Sequence, residues 1–144
     1  MPRFVHILLQ CLWGAPQTLL GLLLFILQYR RPHYRYHNAV VTEWQAKASV
    51  SLGPFIFLTA NAGQHKSRIL FHEYGHTVQS LLLGPLYLPA AGLPSVLWAG
   101  LPVCKWLRRR KNLSYFSVYP ENWADRLGQR VTGESSTAAV QTKL

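Results

Sequence analysis

The hydrophobic positions along the chain begin with one long run that holds no charge. It extends from Val5 to Tyr29, and a membrane-spanning helix needs only about 20 such residues. No small-residue cleavage site follows, and Arg30-Arg31-Pro32 closes the run, so the pattern argues against a signal peptide. We therefore predict a retained membrane anchor over residues 1–31. Four residues interrupt the run and leave open an interfacial amphipathic helix that leads into a shorter span. These are Gln10, Pro16, Gln17 and Thr18.

The next stretch, from Pro32 to about Gly63, favours β-structure. Residues 34–37 and 48–52 alternate between polar and apolar, whereas 40–42 and 55–58 are rich in β-branched and aromatic residues. Gly53-Pro54 predicts a turn between the last two segments. We expect a small antiparallel sheet or hairpin. It would cover the following helix, or it would offer an edge strand that binds an extended peptide.

Helical signals dominate the second half of the chain. A helix is predicted from about Ser67 to Leu83, with Gly84 as its stop. Residues 77–104 carry no charge, but four prolines and three glycines break them up, so we expect a re-entrant or interfacial apolar hairpin over 81–104. A second helix opens at Pro120 and extends to about Arg130, and residues 132–144 are expected to be disordered. The predicted fold class is thus membrane-associated α+β, with its main domain over residues 32–131.

Composition and charge strengthen the membrane interpretation. Hydrophobic residues make up 49% of the chain and charged residues 14%, yet the net charge is +10. A basic chain can bind nucleic acid, but here the basic residues directly follow apolar runs, as in cytoplasmic loops that face anionic lipid. We therefore expect anionic headgroups as partners rather than nucleic acid, at a bacterial inner membrane with the site on its cytoplasmic face. The residues expected to meet the headgroups are Arg30, Arg31, Arg108, Arg109 and Arg110.

The pentapeptide His72-Glu73-Tyr74-Gly75-His76 carries the strongest chemical signal. On a helix, positions i and i+4 share a face, so both imidazoles can bind one zinc ion. Glu73 would border the metal and could take a proton from a zinc-bound water. With six His and four Glu in 144 residues, this spacing arises by chance in on the order of one chain in a hundred. Gly75 inside the helix suggests close helix packing or room beside the metal.

A catalytic zinc needs a third protein ligand and an open position. Glu121 opens the C-terminal helix, and Asp125 lies one turn further along the same face. Glu121 could therefore bind the metal while Asp125 accepts the free N–H of a ligating histidine. Alternatively, Glu121 only interacts with the helix dipole, and Asp125 is simply an acid beside Arg126.

The segments His72–His76 and Glu121–Asp125 resemble the H-E-x-x-H…E-x-x-x-D pattern of gluzincin metallopeptidases, the thermolysin-like group. That resemblance implies His72, His76 and Glu121 as zinc ligands, Glu73 as general base and Asp125 as a partner of a ligating histidine. More of the chain, from Leu12 to Gly128, is similar to a family of small, uncharacterised bacterial membrane-associated proteins. Its shared blocks include Leu12–Gly21, Phe71–Gln79 and Leu83–Leu88. This second resemblance implies a retained architecture and no particular substrate.

The sequence thus predicts a membrane-associated zinc metallopeptidase that hydrolyses a peptide or a membrane-protein segment. Thermolysin-like enzymes also use a His or Tyr to stabilise the developing oxyanion. No motif identifies that residue, and the chemistry leaves Tyr115, Tyr119, His65 and Arg126 open. The alternative is a non-catalytic membrane protein in which zinc, if bound, is structural, or a subunit of a larger assembly.

Overall fold

The computed structural model describes residues 1–134, and the predicted disordered tail falls, from residue 135 onward, outside the described residues. Residues 1–134 form six α-helices and four β-strands. The helices are α1 (Arg3–Leu12), α2 (Ala15–Leu27), α3 (Lys66–Leu83), α4 (Leu93–Gly100), α5 (Pro102–Lys111) and α6 (Glu121–Thr132). The strands are β1 (His33–Tyr36), β2 (Ala39–Trp44), β3 (Val50–Leu52) and β4 (Phe55–Thr59). The α+β class is therefore confirmed.

The sheet is mixed rather than antiparallel, which corrects the sequence-based expectation. Its strand order is β1-β2-β4-β3, and β2 pairs with β4 in parallel while the two outer pairs are antiparallel. The reason is burial: β4 is the most apolar strand and takes an inner position, with Ile56, Phe57 and Leu58 buried. Gly53, at φ 60°, forms the tight β3–β4 turn. This order leaves β3 at an edge.

Helix α3 is the centre of the fold. It packs against the sheet through Leu70 and Tyr74, which join a core that includes Val41, Ile56 and Leu58. It begins at Lys66, one residue before its predicted start, and it ends as expected, because Gly84 adopts a positive φ of 55° immediately after it. Short 3-10 and π turns (Gly84–Leu86 and Leu88–Gly92) then lead into α4 and α5.

The N-terminal segment forms two helices and not one. Trp13 and Gly14 separate α1 from α2, and the two axes are bent by 104°. Among residues 1–134, no single helix is long and apolar enough to cross a membrane; the α1–α2 pair meets the length and composition requirement only when the two helices are taken together. The expectation of a continuous anchor helix is thus not met. The physical reason is the sequence Trp13-Gly14-Ala15-Pro16, since glycine disfavours the helical conformation through its backbone entropy and proline lacks the N–H that a helical hydrogen bond needs.

Candidate metal centre

Two histidines lie side by side on the buried face of α3. His72 and His76 are one helical turn apart, and only 3% and 4% of their surfaces are exposed. Their ring centroids are 4.9 Å apart with the rings nearly perpendicular. The i, i+4 spacing therefore brings both imidazoles to one site, as predicted.

Glu121 completes this cluster from the first turn of α6. Its carboxylate is fully buried, and its Oε2 atom lies 2.8 Å from His72 Nε2 and 3.4 Å from His76 Nε2. One donor atom from each of the three residues lies within 4.8 Å of the other two. Ligand atoms of a tetrahedral ion at about 2.0–2.1 Å would be roughly 3.3 Å apart. The buried His72–His76–Glu121 group could hold a metal ion, and two imidazoles with a carboxylate suit divalent transition metals.

Helices α3 and α6 approach closely enough for this because glycines line their contact. A Cβ atom at Gly75 would lie 1.8 Å from the Ala124 carbonyl oxygen, and one at Gly128 would lie 2.0 Å from the Phe71 carbonyl oxygen. Both distances are far below van der Waals contact. Gly75 therefore serves close helix packing, one of its two predicted roles, and that packing sets how far Glu121 is from the histidines.

The other nitrogen of His72 faces Asp125, as the spacing on α6 suggested. The distance between His72 Nδ1 and Asp125 Oδ1 is 3.4 Å, and among residues 1–134 this nitrogen has no closer hydrogen-bond partner. Asp125 is held in turn by an ion pair with Arg68 and by Gln129, whose Nε2 donates to Oδ2 at 2.8 Å. Asp125 therefore lies where it can orient His72, and Arg68 is an additional partner that the sequence did not reveal.

Gln79 holds His76 in a similar way, and sequence reasoning missed it. His76 Nδ1 lies 2.7 Å from Gln79 Oε1. The Gln79 amide nitrogen donates to the Pro120 carbonyl at 3.0 Å, which leaves the amide oxygen to accept from His76. The ring proton is thereby placed on Nδ1, and Nε2 is left with its lone pair toward the cluster. The available signal was the position of Gln79, three residues beyond His76 on the same helix face.

Glu73 is buried beside the cluster but does not join it. Its Oε2 atom accepts a hydrogen bond of 2.7 Å from the Ser51 hydroxyl on edge strand β3. The same hydroxyl lies 2.9 Å from the Glu73 carbonyl oxygen. Ser51 thus anchors the side chain against the strand and leaves the other carboxylate oxygen without a protein partner among the described residues. The role of Ser51 was not foreseen, because β3 and α3 meet only in the folded chain.

The charges of the cluster shift its ionisation. Burial disfavours charge on His72, but its contacts with Asp125 and Glu121 outweigh that effect and raise the pKa of His72 to about 9. Burial alone would raise the pKa of Glu121, yet the hydrogen bond from His72 and the close contact with His76 hold it well below its usual range. Contacts with His72 and Arg68 likewise lower the pKa of Asp125 against the effect of burial. The two acids are therefore ionised at neutral pH, and the Glu121 carboxylate places negative charge at the group that could hold a metal ion.

A cavity of about 900 Å³ opens beside the cluster. His72, Glu73 and His76 face it from α3, and the edge strand β3 lines another wall. Most of the remaining lining is apolar, including residues of α4. A peptide-sized molecule could therefore reach both the histidines and Glu73.

Of the four residues considered for stabilising an oxyanion, only Tyr115 lines this cavity among the described residues. Burial and the charges of Glu121 and Glu73 raise the pKa of Tyr115, so its phenol stays protonated and can donate. Tyr119 instead donates to the Ala90 carbonyl, and His65 and Arg126 are exposed outside the cavity. Ser95 also reaches the site, since its hydroxyl donates to Glu121 Oε1.

Comparisons of the chain with protein-family models, with curated proteins and with solved structures find no match. The resemblance to gluzincins therefore stays a prediction that rests on two short motifs.

Proposed function

We propose that this protein is a zinc metallopeptidase that hydrolyses a peptide or a membrane-protein segment. The observation that carries the proposal is the convergence of His72, His76 and Glu121 at one buried point beside a large cavity. Two imidazoles and one carboxylate form a donor set that catalytic zinc sites use. Zinc bound there would keep one position open for water and supply the Lewis acidity that peptide hydrolysis requires.

Glu73 is the group best placed to move the proton. It lies next in sequence to His72, faces the same cavity and keeps one carboxylate oxygen free of Ser51. In the proposed reaction Glu73 takes a proton from the attacking water as its oxygen bonds to the peptide carbonyl carbon. When the carbon–nitrogen bond breaks, Glu73 returns that proton to the leaving amine. The Ser51 hydrogen bond would hold the carboxylate in place through both transfers.

Tyr115 is the best candidate for stabilising the carbonyl oxygen. Its protonated phenol lines the cavity, and its ring centroid is 6.4 Å from that of His72. A donor in that position would act on negative charge that develops as water adds to the carbonyl. The largely apolar cavity walls favour an apolar peptide as substrate.

A purely structural metal site is the competing proposal, and the number of ligands distinguishes the two. Structural zinc sites are closed by four protein ligands, whereas catalytic sites have three and a water. Within residues 1–134, three His, Cys, Asp or Glu side chains converge, and a cavity adjoins them. This number of candidate ligands favours the catalytic interpretation over a closed structural site.

Glu73→Gln tests the proposal directly. The variant should still bind one equivalent of zinc, because Glu73 is not a ligand, but it should lose about 10²-fold or more of its rate on a pool of quenched-fluorescent peptides. His72→Ala should lose both zinc and activity. Glu43→Gln, which changes an acid paired with Lys66 away from the site, is the matched control and should behave as the wild type. Full activity in Glu73→Gln would rule out the mechanism.

A further inference from the structure

The two N-terminal helices have their polar residues inside and their apolar residues outside. Helix α1 buries His6 and Gln10, and α2 buries Gln17, Thr18 and Gly21. Their leucines point the other way; Leu19, for example, is 65% exposed while Gln10 and Gln17 are fully buried. The outward residues are Phe4, Val5, Leu8, Leu9, Leu12, Leu19, Leu20, Leu22, Leu23, Ile26 and Leu27. This polarity is the reverse of a helix packed on a protein core in water.

Hydrogen bonds hold the helices in this inverted orientation. Gln10 Nε2 donates to the Thr77 carbonyl at 2.8 Å, and its Oε1 accepts from the Ser80 hydroxyl at 2.9 Å. Gln17 Nε2 lies 2.9 Å from the Ser80 hydroxyl and 2.8 Å from the Gly84 carbonyl. Rotating either helix to bury its leucines would turn the glutamines away from the Thr77 carbonyl, the Ser80 hydroxyl and the Gly84 carbonyl. These buried groups would then lack hydrogen-bond partners, which costs folding free energy. The apolar face is therefore built to point away from the protein.

The apolar face continues past the bend between the helices. The indole of Trp13 packs on the backbone of Gly84, where a Cβ atom would lie 2.3 Å from the ring. Leu82 and Leu86, on either side of Gly84, are 58% and 63% exposed. The surface thus extends from α1 and α2 onto the end of α3, and it is larger than the scattered exposed leucines of an ordinary soluble protein.

Every charge along this part of the chain is positive. Residues 1–42 contain no acid, and neither do residues 77–120. Arg30 and Arg31 follow the end of α2 and are exposed. An apolar face bordered by arginines matches the acyl region of a lipid bilayer and the anionic headgroups next to it.

We propose that the outer face of α1 and α2, continued by Leu82 and Leu86, inserts into the surface of a bilayer that contains anionic lipid, with Arg30 and Arg31 at the headgroups. A second copy of the chain is the competing occupant. A two-fold interface would bring the same patch of both copies together, and here it would place like charges at a shared rim, which disfavours association. A lipid surface offers acyl chains to the apolar face and anionic headgroups to the arginines that border it. The inference is independent of the proposed peptidase activity.

Vesicle flotation tests the inference with the full-length protein made in a cell-free system in the presence of liposomes. The triple variant Leu19→Gln, Leu23→Gln and Ile26→Gln changes exposed positions only and should keep the far-ultraviolet circular dichroism of the wild type. Because each substituted aliphatic side chain would lose its lipid contact, binding to phosphatidylcholine–phosphatidylglycerol vesicles should weaken about tenfold per substitution. Val131→Gln, at a residue 50% exposed on α6, is the matched control and should bind normally. Undiminished flotation of the folded triple variant would overturn the proposal.

The charge requirement is tested separately. Arg30→Gln combined with Arg31→Gln, or omission of phosphatidylglycerol, should reduce flotation, and added salt should have less effect on the variant than on the wild type. Equal binding to neutral vesicles would contradict the role of the arginines. If the triple variant instead converts a dimer to a monomer without changing flotation, the face belongs to a protein interface and the proposal is wrong.

A probe on α1 gives a second readout that does not depend on affinity. Cys11 is exposed on α1, so an environment-sensitive fluorophore on Cys11 in a Cys104→Ser background should brighten and shift to the blue when vesicles are added. The same fluorophore at position 131, introduced by Val131→Cys in a background without the native cysteines, should change little. Equal responses at the two positions would contradict insertion through α1.

Discussion

At the scale of single residues, the candidate site depends on the groups that orient its ligands as much as on the ligands. His72 lies against Asp125, and His76 is held by Gln79. Gln79 also donates to the carbonyl of Pro120, the residue before Glu121. One buried amide therefore links the orientation of a histidine to the position of the glutamate.

Replacing Gln79 by leucine should weaken zinc binding about 10–100-fold, because His76 loses the acceptor that sets its tautomer. Gln79→Glu keeps an acceptor for His76 but loses the donor to Pro120, so we expect a smaller effect. Zinc affinity measured by competition with a chromophoric chelator checks both variants. Gln64→Leu, at an exposed glutamine outside the site, is the control, and equal losses in Gln64→Leu and Gln79→Leu would contradict the assigned role.

The raised pKa of His72, about 9, predicts an opposite pH dependence for stability and for zinc binding. In protein stripped of metal, the charged imidazole stabilises the fold below pH 6.5, the ordinary pKa of histidine in an unfolded chain, and this contribution is lost as pH rises toward 9. Zinc needs the neutral imidazole, so its affinity should rise with pH over the same window, approaching tenfold per unit. Chemical denaturation and zinc titration from pH 6 to 9 measure the two trends. In His72→Ala the stability trend should disappear; its persistence there would exclude His72 as the cause.

At the scale of secondary-structure elements, the contact between α3 and α6 builds the site. Gly75 and Gly128 let each helix touch the backbone of the other. Glu121 sits in the first turn of α6, so a small displacement of this helix would move the carboxylate away from both histidines. The same contact thus serves stability and metal binding.

Gly75→Ala should therefore destabilise the protein and weaken zinc binding together. Alanine favours a helix by about 1 kcal/mol over glycine, but its methyl group would overlap the Ala124 carbonyl, and such overpacking costs about 1–3 kcal/mol or more. Denaturant titration of the metal-free protein measures the free energy of unfolding, and zinc titration measures the affinity for zinc. Gly100→Ala, where a Cβ would meet open space, is the control. A Gly75→Ala protein with normal zinc affinity would show that the helix contact does not control the site.

At the scale of the whole molecule, α3 connects two surfaces with different chemistry. One side carries the histidines and the cavity, and another side receives Gln10 and Gln17 from the outward-facing apolar helices. All of these contacts lie on one helix of 18 residues. The distance and orientation between the proposed lipid surface and the proposed catalytic site are therefore fixed. An apolar substrate drawn from the bilayer surface is consistent with the apolar cavity.

Zinc should stabilise the whole fold, because its three candidate ligands come from two helices that are distant in the chain. A ligand that binds only the folded state adds about 2.7 kcal/mol at 100 times its dissociation constant. Thermal melts with zinc and after chelation should therefore differ by several degrees, and Glu121→Gln should reduce the difference. If chelation leaves the melting temperature of the wild type unchanged, the buried cluster does not bind the metal under those conditions.

Part of the site could be predicted because two of its three candidate ligands are close in sequence. The spacing of His72 and His76 by itself brings them onto one helix face, and Glu121 was found because few acids were available. Arg68, Ser51 and Ser95 were not predicted, since each reaches the site through contacts between elements that no spacing rule describes. Gln79 was missed although it lies three residues beyond His76 on the same helix face. The parallel pairing of β2 with β4 was missed for the same reason, as the pairing partner depends on which strand is buried.

The sequence alone determined the four strand segments, helices α3 and α6, the i, i+4 histidine pair and the apolar, positively charged character of the N-terminal and central segments, because these are properties of neighbouring residues. Only the tertiary structure decided that Glu121 meets the histidines, that the glutamines of α1 and α2 face inward and that α1 and α2 are bent apart. Those outcomes depend on close contacts between distant segments, such as Gly75 against Ala124 and Gln17 against Ser80, where burial and hydrogen bonding select one arrangement among many.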